Sequence, residues 1–251
     1  MSFVFDAVPL WLLFFATVGT ILLAIEFGFR TGRHRARRSE HEREAPIDAM
    51  VGSTLGLLAF VLAFTFGMAA SRFDARGELL IDEAIAIRTA DLRAQLLQEP
   101  QRSEIRTLLR QYVDVRLSVR TASELPGAIV RSENLQQQLW SRAATLEPDS
   151  ALTQAFIEMI DLHSKRMAVA VRNRIPRTIW IALYCLTIFA MAITGYRTGI
   201  AERRSVVATV TVALAFSVVI AITVDLDRPR GGFLHVNQQA MLELQTRLHR
   251  P

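Results

Sequence analysis

The sequence predicts an all-α membrane protein with four spanning helices and a long helical insert between the second and the third. Three observations carry that expectation. Of 251 residues, 51% are hydrophobic and the mean hydropathy is +0.26, whereas an average globular chain reaches about 45–50% apolar only with glycine counted. The excess sits in four uninterrupted runs, each close to the ~20 residues that cross a bilayer as a helix. Between the second and third runs the chain is charged and amphipathic. Together these exclude a disordered chain and an ordinary cytosolic enzyme.

The first run is Val8 to Phe29. Its leader, Met1 to Ala7, carries Asp6 and no basic residue, unlike the basic start of a cleaved secretory signal, so the run reads as a retained span. Glu26 near its end is expected at the interface, snorkelling towards water. Ala49 to Ala70, Thr178 to Tyr196 and Val206 to Val224 supply the other spans. The organisation is therefore residues 1–70 for two spans and a basic loop, 71–177 for the insert, 178–225 for two further spans and 226–251 for a tail. Cys185 is the single cysteine. It excludes an intrachain disulfide and reads as a packing residue inside its span.

The insert reads as helix, without strand pattern, repeat or low-complexity tract. Leu79, Leu80, Ile87, Leu92 and Leu96 form a stripe that continues straight out of the second span. Glu99-Pro100 breaks it, and Leu108, Leu109, Tyr112, Val113 and Val115 resume it. Leu125-Pro126-Gly127 reads as a turn, as does Glu147-Pro148-Asp149-Ser150, which also offers an N-cap to the next helix. That helix holds Phe156, Ile157, Ile160 and Leu162 and is expected to reach Arg174 before Pro176 opens the third span.

The formal charge is +5, from 29 basic and 24 acidic residues, and Lys165 is the only lysine. The arginines cluster beside apolar runs, where topology and lipid headgroups account for them better than nucleic acid does. Arg30, Arg33, Arg35, Arg37, Arg38 and Arg43 occupy the first short connection, and Arg197, Arg203 and Arg204 the second. The positive-inside rule makes these loops cytoplasmic and the insert external. Arg72, Arg76, Lys165, Arg166, Arg172, Arg174, Arg177, Arg228 and Arg230 lie beside the opposite membrane face. The density of the first loop tips the balance weakly towards an external insert. The five histidines show no close pairing of the kind a zinc site needs, and no nucleophile elbow or phosphate loop occurs. No metal, no cofactor and no enzymatic activity are expected.

The second span is the most informative element. Small residues recur as Gly52, Gly56, Ala59, Ala63, Gly67 and Ala70, a spacing that lets helices approach closely in lipid. Phe60 and Phe64 stand four residues apart, within about 40° on one helix face. Arg72-Phe73 follows where the helix leaves the membrane. Asp74, Glu78, Asp82 and Glu83 come next, and they read either as an ion vestibule or as a solvated or intersubunit salt-bridge network.

Phe60-Val61-Leu62-Ala63-Phe64 followed by Ser71-Arg72-Phe73 resembles the pore-lining helix of the bestrophin anion channels. Nearly the whole chain resembles the bacterial bestrophin-like membrane proteins. The marks are Gly52-Ser-Thr-Leu-Gly56-Leu-Leu-Ala-Phe60, Ser71 to Arg76, Asp82-Glu83-Ala84, Arg172-Asn173-Arg174-Ile175-Pro176 and Asp225-Leu226-Asp227-Arg228-Pro229. The resemblance implies a pentameric homo-oligomer of four-span subunits in a bacterial inner membrane. The second spans would ring one pore that passes small anions, with a neck at Phe60 and Phe64. Ser53 and Gly56 would lie on the approach, and Arg72 with Asp74 at the other mouth. Gly52, Ala59, Ala63 and Gly67 would pack neighbouring helices.

Two departures stand out. Gly56 replaces a larger aliphatic residue of the bestrophin neck. Arg228, Arg230, Gly231, Gly232 and Phe233 stand where a calcium clasp would need carboxylates, so calcium gating is not expected. A bestrophin-like topology would also put the insert in the cytoplasm, against the arginine count. The alternative from another class is a non-conducting scaffold or envelope sensor whose insert binds a partner.

Overall fold

A computed structural model describes residues 8–37, 47–119, 124–145, 151–169, 174–202, 205–228 and 232–250, and among these there are eight helices and no strand. They are α1 (Leu10–Ala36), α2 (Ile47–Ala94), α3 (Gln101–Ser118), α4 (Leu125–Ala144), α5 (Ala151–Met167), α6 (Arg177–Ile200), α7 (Val206–Asp227) and α8 (Gln239–Leu248). Four of them, α1, α2, α6 and α7, are long and apolar enough to cross a membrane. The chain divides into two compact units, residues 1–71 with 175–228 and residues 72–174 with 229–251. Helix α2 contributes to both. Its 48 residues run without a break, about 70 Å at 1.5 Å per residue.

In the first unit α1 packs along α6 and also meets α7. The α1–α6 crossing is made by glycine. A Cβ on Gly28 would run into the carbonyl oxygen of Ala192, and one on Gly195 into that of Ile25. Gly32 meets the Tyr196 carbonyl in the same way, and Gly199 that of Phe29. Each contact maps onto its counterpart by the 167-residue shift that also separates Thr17 from Tyr184, whose hydroxyls lie 3.0 Å apart. A constant shift means that the two helices run parallel about a local two-fold axis.

Gly28-Phe-Arg-Thr-Gly32 and Gly195-Tyr-Arg-Thr-Gly199 are two copies of one short unit. Thr31 and Thr198 play the same part in it, each returning its hydroxyl to carbonyls of its own helix. Cys185 is exposed on α6 rather than packed.

The second unit is a bundle of the latter part of α2 with α3, α4, α5 and α8. Its core joins Leu80, Ile87, Leu109, Tyr112, Leu139, Phe156, Met159, Met241 and Leu244, among others. The face that α2 buries differs from the leucine stripe. Leu92 and Leu96 are exposed, while Leu80, Ala84, Ile87, Ala90 and Ala94 are buried. Alanine positions carry much of that face because short side chains let the neighbouring helices lie close; Leu92 and Leu96 sit round the other side.

The break at Glu99-Pro100 holds, with α2 ending at Ala94 and α3 beginning at Gln101. Leu125-Pro126-Gly127 is not a turn but the first turn of α4, because proline at the first helical positions loses no hydrogen bond. The turn expected at Glu147 to Ser150, with its N-cap, lies outside the described residues. Helix α5 runs to Met167 and continues as a π-turn over residues 168 and 169, residues 170–173 lie outside the described residues, and Arg174 is not helical. By Ile175 the backbone amide donates to Asp227 Oδ1 at 3.1 Å instead of a helical carbonyl, as suits a residue preceding proline. The tail forms α8, whose Met241, Leu244 and Leu248 are buried.

Candidate functional site

Helix α2 presents one buried and one uncovered face. Leu58, Leu62, Thr65 and Ala69 point into the chain, spaced four, three and four residues apart. On the opposite side Phe60 is 69% and Phe64 64% exposed. Gly52, Gly56 and Gly67 have nothing within 4 Å of the place a Cβ would occupy, and Ser53, Ala59 and Ala63 are exposed. Gly52, Gly56 and Gly67 therefore meet no partner among the described residues of the chain. Ser53 and Thr54 return their hydroxyls to the carbonyls of Ala49 and Met50, so neither leaves a polar atom unsatisfied. Large apolar side chains are also exposed on α1 and α6, such as Phe15, Phe27 and Phe189. On α2 the exposed rings are interleaved with glycine, alanine and serine, and three of its glycines lie in open space.

Beyond the span, Arg72 is half-buried and Asp74 exposed. The Arg76 guanidinium lies over the Phe73 ring, 5.8 Å from its centroid, within cation–π reach. Glu78 and Asp82 are exposed. Glu83 is not in the same setting. One residue on, 100° round the helix, its carboxylate is fully buried, which corrects the expectation that it stands with the other acids.

Glu83 organises a polar cluster inside the second unit. Tyr112 on α3 donates its hydroxyl hydrogen to Glu83 Oε1 at 2.7 Å. Arg116, one helical turn on, faces both carboxylate oxygens at 3.4 Å, and Arg166 of α5 closes an ion pair on Oε2. His163 Nδ1 lies 3.0 Å from the Tyr112 oxygen and 3.7 Å from Glu83. Gln136 of α4 donates to the same tyrosine oxygen at 3.2 Å. Four helices thus converge on one buried carboxylate. Burial raises the Tyr112 pKa and lowers that of Arg116. His163 is pushed down to about 4, first by burial and then by the Arg116 charge, with Glu133 opposing.

Sequence reasoning missed this cluster. Its members are scattered from residue 83 to residue 166 with no common spacing. The one available signal was Tyr112 followed at four residues by Arg116 on an otherwise apolar helix face. His163, which looked uninformative, is 2% exposed and central. Among the described residues, no group of three His, Cys, Asp or Glu side chains is gathered as a metal site would need.

Several of the cations beside the insert-side membrane face are part of the fold. Arg166 is committed to Glu83, Arg76 is buried and Arg228 donates to the Val8 carbonyl at 2.7 Å. Of the cations expected in the short connections, Arg30 lies on α1 and pairs with Glu26 at 2.8 Å while staying 79% exposed, and Arg197 lies on α6 and pairs with Asp48. Glu26 is thus matched by the arginine one turn away.

The sequence model of the bestrophin-like domain matches residues 13–241. That is most of the chain, and the chain belongs to the bestrophin-like family. No curated protein and no solved structure matches it.

Proposed function

We propose, from membership of the bestrophin-like family, that the protein is a homo-oligomeric ion channel whose pore is lined by α2. The observation that carries this reading is the uncovered face of α2, where Phe60 and Phe64 are 69% and 64% exposed amid glycines that meet nothing among the described residues of their own chain. A face meant for lipid gains nothing from glycine. Small residues let a second helix approach in the membrane, and a ring of copies would set the phenylalanines round a common axis. The family resemblance suggests five. Phenyl ring edges carry the positive side of the aromatic quadrupole and suit a passing anion, and a narrow apolar neck can gate by dewetting. Ser53 and Gly56 would line the approach, with Arg72 and Asp74 at the far mouth.

A second reading of selectivity has its own observation. Asp74, Glu78 and Asp82 recur every four residues, all exposed, on the unbroken helix that carries the neck. By helical register they continue the phenylalanine face, and a ring of carboxylates attracts cations.

Current through a planar bilayer under a potassium chloride gradient, for wild type and for Phe60→Ala/Phe64→Ala, tests the reading. Wild-type current altered by the double substitution is expected, its reversal potential lying near the chloride potential for the anion reading and near the potassium potential for the cation one. A silent wild type with a conducting double variant identifies a closed neck. Silence from both, in protein shown to be oligomeric, refutes conduction and leaves a scaffold whose insert binds a partner.

A further inference from the structure

The Tyr112 hydroxyl has one hydrogen, and Glu83, an acceptor only when ionised, takes it at 2.7 Å. At 3.0 Å from the same oxygen, His163 Nδ1 must then be the donor. This fixes the neutral imidazole with its proton on Nδ1 and a lone pair on Nε2. That Nε2 atom is buried, with no hydrogen-bond partner among the described residues, in a residue 2% exposed. Around the ring stand Glu83 of α2, Tyr112 and Arg116 of α3, Glu133 of α4 and Arg166 of α5.

A proton arriving at Nε2 would create a third cation beside those arginines, with no acceptor among the described residues for its new N–H. The protonated ring would be better placed in water. To get there, α5 would have to lift from α3 and from the insert portion of α2.

We propose that His163 is an acid-sensitive latch, held neutral by the Glu83–Tyr112 relay, whose protonation releases α5 and loosens the helical insert. The latch stands whether or not the chain conducts. The sign follows from the ring's folded-state pKa of about 4 against the ordinary 6.5. The fold favours the neutral ring, so its contribution is complete above about pH 6.5, falls as pH drops towards 4 and is gone below that.

The test is amide hydrogen exchange of the full-length protein in lipid nanodiscs from pH 7.5 to pH 4, corrected for intrinsic rates, beside His163→Asn. Asparagine keeps an N–H where Nδ1–H stood and has nothing to titrate. In wild type the opening equilibrium of α5 is expected to rise on the order of a hundredfold between pH 6.5 and 4, while in His163→Asn it stays flat. An equal rise in both proteins, or none in wild type, overturns the latch. Should the variant not fold, nitrogen NMR of the wild-type imidazole decides: a neutral Nδ1–H ring at pH 7 upholds the proposal, and an Nε2–H ring or an imidazolium overturns it.

Discussion

At the scale of single residues, Glu83 shows how position on a helix outweighs composition. Asp82 and Glu83 are adjacent acids, yet one is exposed and the other is fully buried and bound by Tyr112, Arg116 and Arg166. Removing one member of a buried ion pair leaves uncompensated charge, at a cost of about 3–5 kcal/mol. Glu83→Gln is accordingly expected to destabilise the insert by about that amount, seen as faster amide exchange throughout α3 and α5. Exchange unchanged from wild type would mean that the arginines find other partners. The carboxylate itself was visible in the sequence, but its burial was not. The residues that bury it lie up to 83 positions away, and only tertiary packing brings them together.

Among elements, the spans were legible and the contacts between them were not. Length and hydropathy located α1, α2, α6 and α7, because a membrane helix must satisfy all its backbone groups within one apolar run. The small residues of α2 drew attention in the sequence, whereas the glycines that cross helices within the chain are on α1 and α6. Their signal was present as the repeated Gly-aromatic-Arg-Thr-Gly unit, overlooked because it spans only five residues in each copy.

The crossing is open to a direct test. Gly28→Ala or Gly195→Ala drives a methyl group into a backbone carbonyl, and such overpacking costs about 1–3 kcal/mol. Gly19 faces open space on the same helix, so Gly19→Ala should leave stability unchanged or raise it by up to about 1 kcal/mol through helix propensity. Thermal denaturation in detergent separates them: a lowered midpoint for the first two and not for the third. Equal midpoints for all three would mean that α1 and α6 can part freely.

For the whole molecule, two compact units share one helix, α2. The unit containing α1, α6 and α7 includes the span of α2 with the uncovered phenylalanine face. The other unit includes the continuation of α2 and fixes it with a buried polar cluster. The all-helical class and the four spans could be read in advance, because hydrophobic periodicity reports them directly. The joining of the tail to the insert could not, since α8 is short and its Met241, Leu244 and Leu248 make an apolar face only when the insert core is there to receive it.

The central claim is that the uncovered face of α2 borders water in the assembled protein. Thiol labelling tests it most directly, in a Cys185→Ser background that removes the exposed native cysteine. Phe60→Cys is compared with Phe189→Cys, since Phe189 is 67% exposed on α6 and on this account faces lipid. A charged, membrane-impermeant thiol reagent is expected to modify the cysteine at 60 quickly and that at 189 slowly or not at all. If both positions resist the reagent alike, Phe60 faces lipid or another helix, and α2 lines no aqueous path.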